Sequence, residues 1–156
     1  MTAQARYSPA QLAMLLGLPE PTGEQAAVIA APLEPLAVIA GAGSGKSETM
    51  AARLVWLVAN GMVAPERVLG LTFTRKAAAE LGQRVRARLA GLRRAGLAVR
   101  PAQAAGQADG DVLDGEPVVS TYHSYAARLV TDHALREALE PSLRLITPAV
   151  AWQIAA

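Results

Sequence analysis

The sequence predicts an α/β fold in which a parallel sheet is flanked by helices. Short apolar runs of strand length alternate along the chain with longer segments whose apolar residues recur every three or four positions. Residues typical of turns and helix caps stand at most of the boundaries between these segments. Strands that alternate with helices imply crossover connections, and therefore a parallel sheet with helices on both faces.

Two short helices are predicted ahead of the first strand. Residues 1–20 would form an N-terminal segment whose helix begins at Ser8-Pro9, an N-cap followed by proline at the first helical position, and ends at Gly17. Thr22 would cap a second helix that contains Gln25.

A glycine-rich turn follows the apolar run 36–39, which is predicted to be a buried parallel strand. After the turn, apolar residues at helical spacing predict a helix that ends at Asn60-Gly61. The turn consists of Ala40, Gly41, Ala42, Gly43, Ser44, Gly45, Lys46 and Ser47.

Strand, glycine-rich turn and helix in this order are typical of a site that binds a nucleoside triphosphate. Glycines permit positive φ angles and let several N–H groups point at phosphates, and a helix N-terminus adds about half a positive charge. Lys46 would reach the β- and γ-phosphates, and the Ser47 hydroxyl would hold Mg²⁺. The strict pattern has glycine where this chain has Ala40, a departure of one methyl group. The alternative is a turn of small residues with an incidental lysine.

A second strand is predicted at 68–73, and a helix at 76–92 follows it. One face of that helix is apolar and the other is basic. The basic face is predicted to be solvated surface and includes Arg75, Lys76, Arg84, Arg86 and Arg88.

Residues 94–117 show no periodicity and are predicted to form a mobile surface loop. A short strand at 117–121 and a helix at 125–135 come next. Another strand at 143–146 and a terminal helix from 147 to the end complete the prediction.

Composition narrows the class of protein. The 156 residues are 52% hydrophobic, which is enough for one domain with an ordinary core. The net charge of +2 neither indicates nor excludes a nucleic-acid partner, because a mild overall charge can hide a basic patch. There is no cysteine, which excludes disulfides and thiolate metal sites. Since no signal-like or membrane-length apolar segment is recognised, we expect a cytoplasmic protein that does not enter the membrane.

Four segments match one family in order and spacing. PTGEQAAVI, AGAGSGKS, LGLTFTRKAAAEL and VVSTYHSY resemble the UvrD/Rep/PcrA-like superfamily 1 DNA helicases, and the match covers about residues 20–148. The resemblance implies a RecA-like P-loop NTPase sheet flanked by helices, incomplete in this chain. It makes residues 1–156 the N-terminal portion of a helicase ATP-binding domain, with 143–156 as the entry to an inserted helical subdomain. The stretch SETMAARLVWLVANG is similar to helicase subunits of AdnAB-type helicase–nucleases.

The function implied by this resemblance is that of an ATP-dependent 3′-to-5′ DNA helicase or translocase acting in DNA repair or recombination. Its cofactors would be ATP and Mg²⁺. Its partners would be single-stranded DNA, a second motor domain and, in the AdnAB case, a helicase–nuclease partner subunit. Two alternatives remain open: a stand-alone P-loop nucleotide-binding module without motor activity, and a small-molecule P-loop kinase.

The resemblance also assigns roles to single residues. Gln25 would form hydrogen bonds to adenine through its side-chain amide. The loop that runs from Ala40 to Glu48 would also bind the nucleotide. Single-stranded DNA would contact the ends of the two strands, where Phe73 could stack on a base. The alternatives are that Phe73 belongs to the core and that His123 is structural. The implied DNA-binding residues are Thr72, Phe73, Thr74, Lys76, Thr121, Tyr122 and His123.

Two features depart from the family pattern. Glu48 stands where relatives often have an arginine that stacks on adenine, and its carboxylate would repel phosphate if it faced inward. Hydrolysis also needs an acidic pair at the end of an apolar strand, and no such strand follows Ser124. We therefore expect the chain to be the N-terminal piece of a helicase and to lack ATP turnover by itself.

Overall fold

The computed structural model describes residues 5–97 and 116–137, together with the single residues 140 and 152. Short 3-10 turns lie at Pro65–Arg67 and Ala134–Glu137. The helices and strands are, in chain order, α1 (Pro9–Leu15), α2 (Gly23–Ala30), α3 (Lys46–Ala59), β1 (Leu69–Thr72), α4 (Arg75–Arg94), β2 (Val118–Thr121) and α5 (Tyr122–His133). Helices that pack around a small parallel sheet confirm the α/β class.

The first two helices begin with reciprocal capping boxes. In α1, the Ser8 hydroxyl accepts a hydrogen bond from the Gln11 N–H at 3.2 Å, and the Gln11 side chain accepts one from the Ser8 N–H at 2.8 Å. Thr22 and Gln25 make the same exchange at the start of α2. Each box satisfies two N–H groups that a helix start leaves without intrahelical partners. Both predicted helix starts are confirmed.

Helix α3 is the centre of the core. Its residues 54–59 are all buried, and α4 packs against it through Leu81, Val85, Leu89 and Leu92. The segment before α1 is attached to α3 by polar contacts: the Trp56 indole N–H donates to the Tyr7 carbonyl at 2.7 Å, and the Tyr7 N–H donates to the Asn60 side chain at 2.8 Å.

Arg53 connects α3 to the end of α2. Its guanidinium donates to the carbonyl oxygens of Val28, Ile29 and Ala31 at 2.8–3.2 Å, and to that of Pro32 at 2.9 Å. The last carbonyls of a helix lack intrahelical donors, so a cation placed there satisfies them and the helix dipole together. Burial lowers the pKa of Arg53 from its ordinary value.

The sheet consists of β1 and β2, which pair in parallel with Leu69 opposite Val118 and Thr72 opposite Thr121. Helix α4 covers one face through Leu81 and contacts both strands. Since parallel strands in this register end at the same edge, the residues that follow them, Phe73 and Tyr122, lie side by side.

The prediction of a buried strand at 36–39 is wrong. These four residues are exposed chain without strand pairing, and the Ile39 side chain is 99% exposed. A strand requires a neighbour to bond its N–H and C=O groups, and β1 and β2 pair only with each other in the described part of the chain. The apolar pattern at 36–39 therefore has no partner strand there.

The remaining boundaries differ in smaller ways. Helix α5 begins at Tyr122, three residues before the predicted start, because the Thr121 hydroxyl caps it by accepting from the Ser124 N–H at 3.1 Å. Most of the predicted loop at 94–117 and the whole predicted strand at 143–146 lie outside the described residues. Of the predicted terminal helix only residue 152 is described, and it is helical. Within the described ranges, no helix is long and apolar enough to cross a membrane.

Candidate functional site

The glycine-rich turn leads directly into α3, as the sequence predicts. Gly43 and Gly45 have φ angles of 76° and 78°, in the left-handed region where other residues are strained. A methyl group placed at Gly41 or Gly43 would meet no described atom within 4 Å. Packing among the described residues therefore does not require glycine at position 41, and among them open space lies above this part of the turn.

No described side chain caps the start of helix α3. Gly45 is the N-cap residue, and Lys46 and Ser47 form the exposed first turn. The first N–H groups of a helix have no intrahelical acceptors and carry the positive end of the helix dipole. An anion such as phosphate is the ligand that this end of a helix favours.

The Lys46 amine lies over the turn. Its Nζ donates to the carbonyl oxygen of Ala40 at 3.0 Å and also to that of Gly41. The Ser44 hydroxyl donates to the same Gly41 carbonyl at 2.8 Å. These bonds place a cation and a hydroxyl beside the open space above the glycines.

Gln25 joins α2 to the turn through its side-chain amide. Besides its bond in the capping box, the amide donates from Nε2 to the Ser44 carbonyl at 3.3 Å. One amide hydrogen and one oxygen lone pair are not used by these two bonds. Gln25 thus lies next to the turn, as the family resemblance implies, and retains hydrogen-bonding capacity for a ligand.

A cavity of about 430 Å³ adjoins the turn. Its volume falls in the range of roughly 300–1,000 Å³ that is common for ligand sites. Ala40, Ser44, Lys46 and Gln25 line it, together with Val38 and Ile39 from the preceding segment.

Glu48 is held by two arginines of α4. Its carboxylate contacts the Arg88 guanidinium and lies 3.6 Å from the Nε of Arg84. The prediction that Arg88 belongs to a solvated face is wrong, since Arg88 is only 7% exposed. Its partner is forty residues away in the sequence, so helical periodicity within α4 could not identify it. The repulsion expected between Glu48 and phosphate is offset by these two cations.

The edge at which β1 and β2 end carries an aromatic pair. Phe73 and Tyr122 have ring centroids 5.1 Å apart and planes at 36° to each other. The Phe73 side chain is 86% exposed, so the alternative that it belongs to the core is wrong. The sequence named both residues but did not predict that their rings contact each other, which depends on the pairing of β1 with β2.

The polar residues at this edge are mostly engaged in capping. Thr74 caps α4 by accepting from the Ala77 N–H at 3.1 Å, and the Thr72 hydroxyl donates to the Thr74 carbonyl at 3.1 Å. The Thr121 hydroxyl donates to the Ser124 hydroxyl at 2.8 Å. Lys76 and His123 are exposed in the first turns of α4 and α5. Two helix N-termini therefore meet at this edge beside the aromatic pair.

Magnesium would have few protein ligands here. Among residues 5–97 and 116–137, no group of three or more His, Cys, Asp or Glu side chains could hold a metal ion. Ser47 is exposed at the start of α3, where its hydroxyl suits a Mg²⁺ ion held mainly by phosphates and water.

Comparison with known proteins finds similarity to DNA helicases. The chain is 54% identical over 54 residues to DNA helicase IV of Escherichia coli (strain K12), an alignment that covers 35% of this chain and 8% of that protein. It is 47% identical over 64 residues to the ATP-dependent DNA helicase UvrD2 of Mycobacterium bovis, which covers 41% of this chain and 9% of the relative. It is 30% identical over 123 residues to DNA helicase II of E. coli (strain K12), which covers 79% of this chain and 14% of the relative.

The chain thus spans a small part of the length of these relatives. The family model of the UvrD/REP helicase N-terminal domain matches residues 22–150, a range that includes the turn, both strands and the aromatic pair. This chain therefore belongs to the UvrD/REP helicase N-terminal domain family.

Proposed function

We propose that this chain is part of an ATP-dependent DNA helicase or translocase, and that it supplies one side of the ATP site and part of the track for single-stranded DNA. The observation that carries the proposal is the glycine turn at the start of α3, with open space above it and the Lys46 amine beside that space. Relatives named as ATP-dependent DNA helicases and as DNA helicase II support the class of activity.

The nucleotide would bind with its phosphates over the turn. The N–H groups at the start of α3 and the Lys46 amine would face the phosphate oxygens, and Ser47 would contribute its hydroxyl to bound Mg²⁺. Bound Mg²⁺ would neutralise charge on the phosphates. To meet the phosphates, the amine would exchange its bonds to the Ala40 and Gly41 carbonyls for bonds to phosphate oxygens.

Single-stranded DNA would cross the edge formed by the ends of β1 and β2. An exposed aromatic ring can stack on any base, and such stacking is worth roughly 1–3 kcal/mol per base. The positive ends of α4 and α5, with Lys76 near them, would face the phosphates of the strand. The Lys76 amine lies 3.9 Å from the Glu80 carboxylate, and both side chains are exposed. This weak ion pair would compete little with binding of Lys76 to a DNA phosphate.

Movement along DNA would come from coupling between these two sites. In the proposed motor, a second motor domain closes on bound ATP, and release after hydrolysis reopens the cleft. The strand would then move with the 3′-to-5′ polarity that the family resemblance implies, in DNA repair or recombination and in the cytoplasm. The two described strands would then belong to a larger RecA-like parallel sheet.

Binding of single-stranded DNA tests the proposal. Fluorescence anisotropy with labelled oligo-dT should show binding that weakens as salt rises, because phosphate contacts release counterions. Phe73→Ala should weaken it by roughly tenfold, in line with the loss of one stacked base. Leu135→Ala is the matched control, because this side chain is 79% exposed and lies beyond the far end of α5. Absence of binding, or equal binding by Phe73→Ala, would instead support a stand-alone nucleotide-binding module.

A further inference from the structure

The exposed face of α4 carries a row of basic side chains. Of the seven arginines and lysines in this helix, Arg84 and Arg88 contact the Glu48 carboxylate. The other five are exposed, and together they are called the basic row: Arg75, Lys76, Arg86, Arg93 and Arg94. The helix contains a single acidic residue, Glu80. A helix surface that only faces water usually carries charges of both signs, so this imbalance favours a negatively charged partner.

The basic row follows one side of the helix. Arg86 and Arg93 follow Arg75 by about three and five whole turns at 3.6 residues per turn. Arg94 follows Lys76 by about five turns. The five cations therefore lie within an arc of roughly 100°, on the side opposite to the buried residues of α4. From end to end the row is about 28 Å long, at 1.5 Å per residue.

The start of the row is unfavourable for the helix itself. Arg75 and Lys76 are the first two residues of α4, and no acidic residue stands in its first turn. A helix N-terminus carries positive partial charge, so cations there destabilise the helix whereas an anion stabilises it. Such a departure from local preference is expected where residues serve binding. A phosphate bound at this end would neutralise the two cations and the helix terminus together.

We propose that the basic row binds the sugar–phosphate backbone of duplex DNA beside the single strand. The inference rests on the proposed function, because it takes the edge at Phe73 and Tyr122 as the place where the single strand lies. Arg75 stands two residues after Phe73, and the row leads away from this edge along α4. A single strand at the edge and a duplex along the row would then be continuous parts of one DNA molecule.

The chemistry of the row suits a duplex better than a single strand or an acidic protein. Along its described length α4 exposes no large apolar side chain, so it offers neither a ring that stacks on an unpaired base nor an apolar contact for a protein. The residues between the cations on this face are small or polar and leave the arginines accessible: Ala79, Gln83, Ala87 and Ala90.

The length and shape of the row also fit a duplex. A row of about 28 Å corresponds to roughly eight base pairs at 3.4 Å each. A duplex is straight over this distance, because its persistence length is about 150 base pairs, and it can therefore lie along a straight helix. Contacts to phosphates alone carry no sequence information, so binding should not depend on the sequence of the duplex.

Fluorescence anisotropy with three labelled DNAs tests this inference: a blunt duplex of about twenty base pairs, the same duplex with a 3′ dT tail, and oligo-dT of the tail's length. The 156-residue chain should bind the tailed duplex at least about tenfold more tightly than oligo-dT, because the duplex adds phosphate contacts. Arg86→Gln combined with Arg94→Gln should remove most of this gain and leave oligo-dT binding unchanged. The slope of log affinity against log salt should fall by roughly 2, about 0.9 for each lost phosphate contact.

Two further double variants serve as controls. Arg67→Gln with Arg128→Gln removes the same charge from two exposed side chains at the opening where β1 and β2 begin, and it should bind the tailed duplex nearly as the unaltered chain does. Arg86→Lys with Arg94→Lys should keep most of the gain, because a phosphate contact needs the charge more than the planar fork. Circular dichroism would verify that each variant is folded.

The outcomes distinguish this inference from the proposed function. Equal affinity of the unaltered chain for oligo-dT and the tailed duplex would overturn the inference alone and leave an acidic protein as the alternative partner of the row. An equal loss in the Arg67 and Arg128 variant would also overturn it, since binding would then follow overall charge. Failure to bind oligo-dT, with blunt-duplex binding that the Arg86 and Arg94 variant loses, would overturn the single-strand track and support the basic row.

Discussion

Alanine substitutions at the glycines of the turn should distinguish two reasons for having glycine there. One is a backbone conformation that strains other residues, and the other is the space that a bound phosphate needs. Gly45 has a φ of 78°, and a Cβ added there would lie 3.0 Å from the Gln25 Nε2. The left-handed conformation costs a non-glycine residue roughly 1–2 kcal/mol, and loss of the Gln25–Ser44 hydrogen bond adds roughly 0.5–1.5 kcal/mol. Gly45→Ala should therefore lower the free energy of unfolding by roughly 1.5–3.5 kcal/mol.

The two neighbouring glycines provide the controls. Gly43 has a similar positive φ, but no described atom would lie within 4 Å of an added Cβ. Gly43→Ala should therefore cost only the conformational part, roughly 1–2 kcal/mol. Gly41 has no positive φ, and an added Cβ there would have no neighbour within 4 Å in the part of the chain that the structure describes. Gly41→Ala should leave the stability within about 1 kcal/mol of the unaltered chain or raise it slightly, because it restricts the unfolded chain.

The assay is urea unfolding followed by circular dichroism, combined with titration of each variant with tripolyphosphate. Although Gly41→Ala should be stable, its methyl group would occupy the space above the turn and weaken tripolyphosphate binding by about tenfold or more, which corresponds to about 1.4 kcal/mol. The reasoning is refuted if Gly41→Ala destabilises the chain as much as Gly45→Ala does. It is refuted equally if Gly41→Ala binds tripolyphosphate as tightly as the unaltered chain.

Two further predictions concern the joint between α2 and α3 and the chemistry of the isolated chain. Arg53→Met should lower the free energy of unfolding by roughly 1.5–3 kcal/mol, because four carbonyl oxygens lose a charged donor; an unchanged urea midpoint would contradict this. The 156-residue chain should show no multiple-turnover ATP hydrolysis above background, because its sequence has no acidic pair at the end of an apolar strand and Glu48 is bound to arginines. Turnover that Lys46→Ala abolishes would show that other carboxylates suffice.

Local patterns were enough to predict that the five described helices exist, although the start of α5 differs by three residues. At the starts of α1 and α2, each N-cap residue forms hydrogen bonds with a residue three positions later. The end of α3 lies at Asn60-Gly61, where Gly61 has the positive φ expected of a helix stop. The order of the glycine turn, Lys46 and α3 is equally local. These features could be predicted because the interacting residues are near each other in the sequence.

Contacts between distant segments set the limit of the prediction. Residues 36–39 have the composition of a buried strand, but a strand exists only where another one pairs with it. Arg88 lies on the polar side of an amphipathic helix and is nonetheless buried, because Glu48 of another helix neutralises it. The contact between Phe73 and Tyr122 depends on the register of two strands that are separated by α4 and the residues after it.

Calorimetric titration of the unaltered chain and of Lys46→Ala with Mg·ATP tests the proposed phosphate site most directly. Lys46→Ala should abolish calorimetrically detectable binding, because it removes the cation beside the open space above the turn. Lys76→Ala, which removes an equal charge from an exposed side chain of α4, should bind as the unaltered chain does. Equal affinity of the unaltered chain and Lys46→Ala for Mg·ATP would contradict the assignment of this turn as the phosphate site.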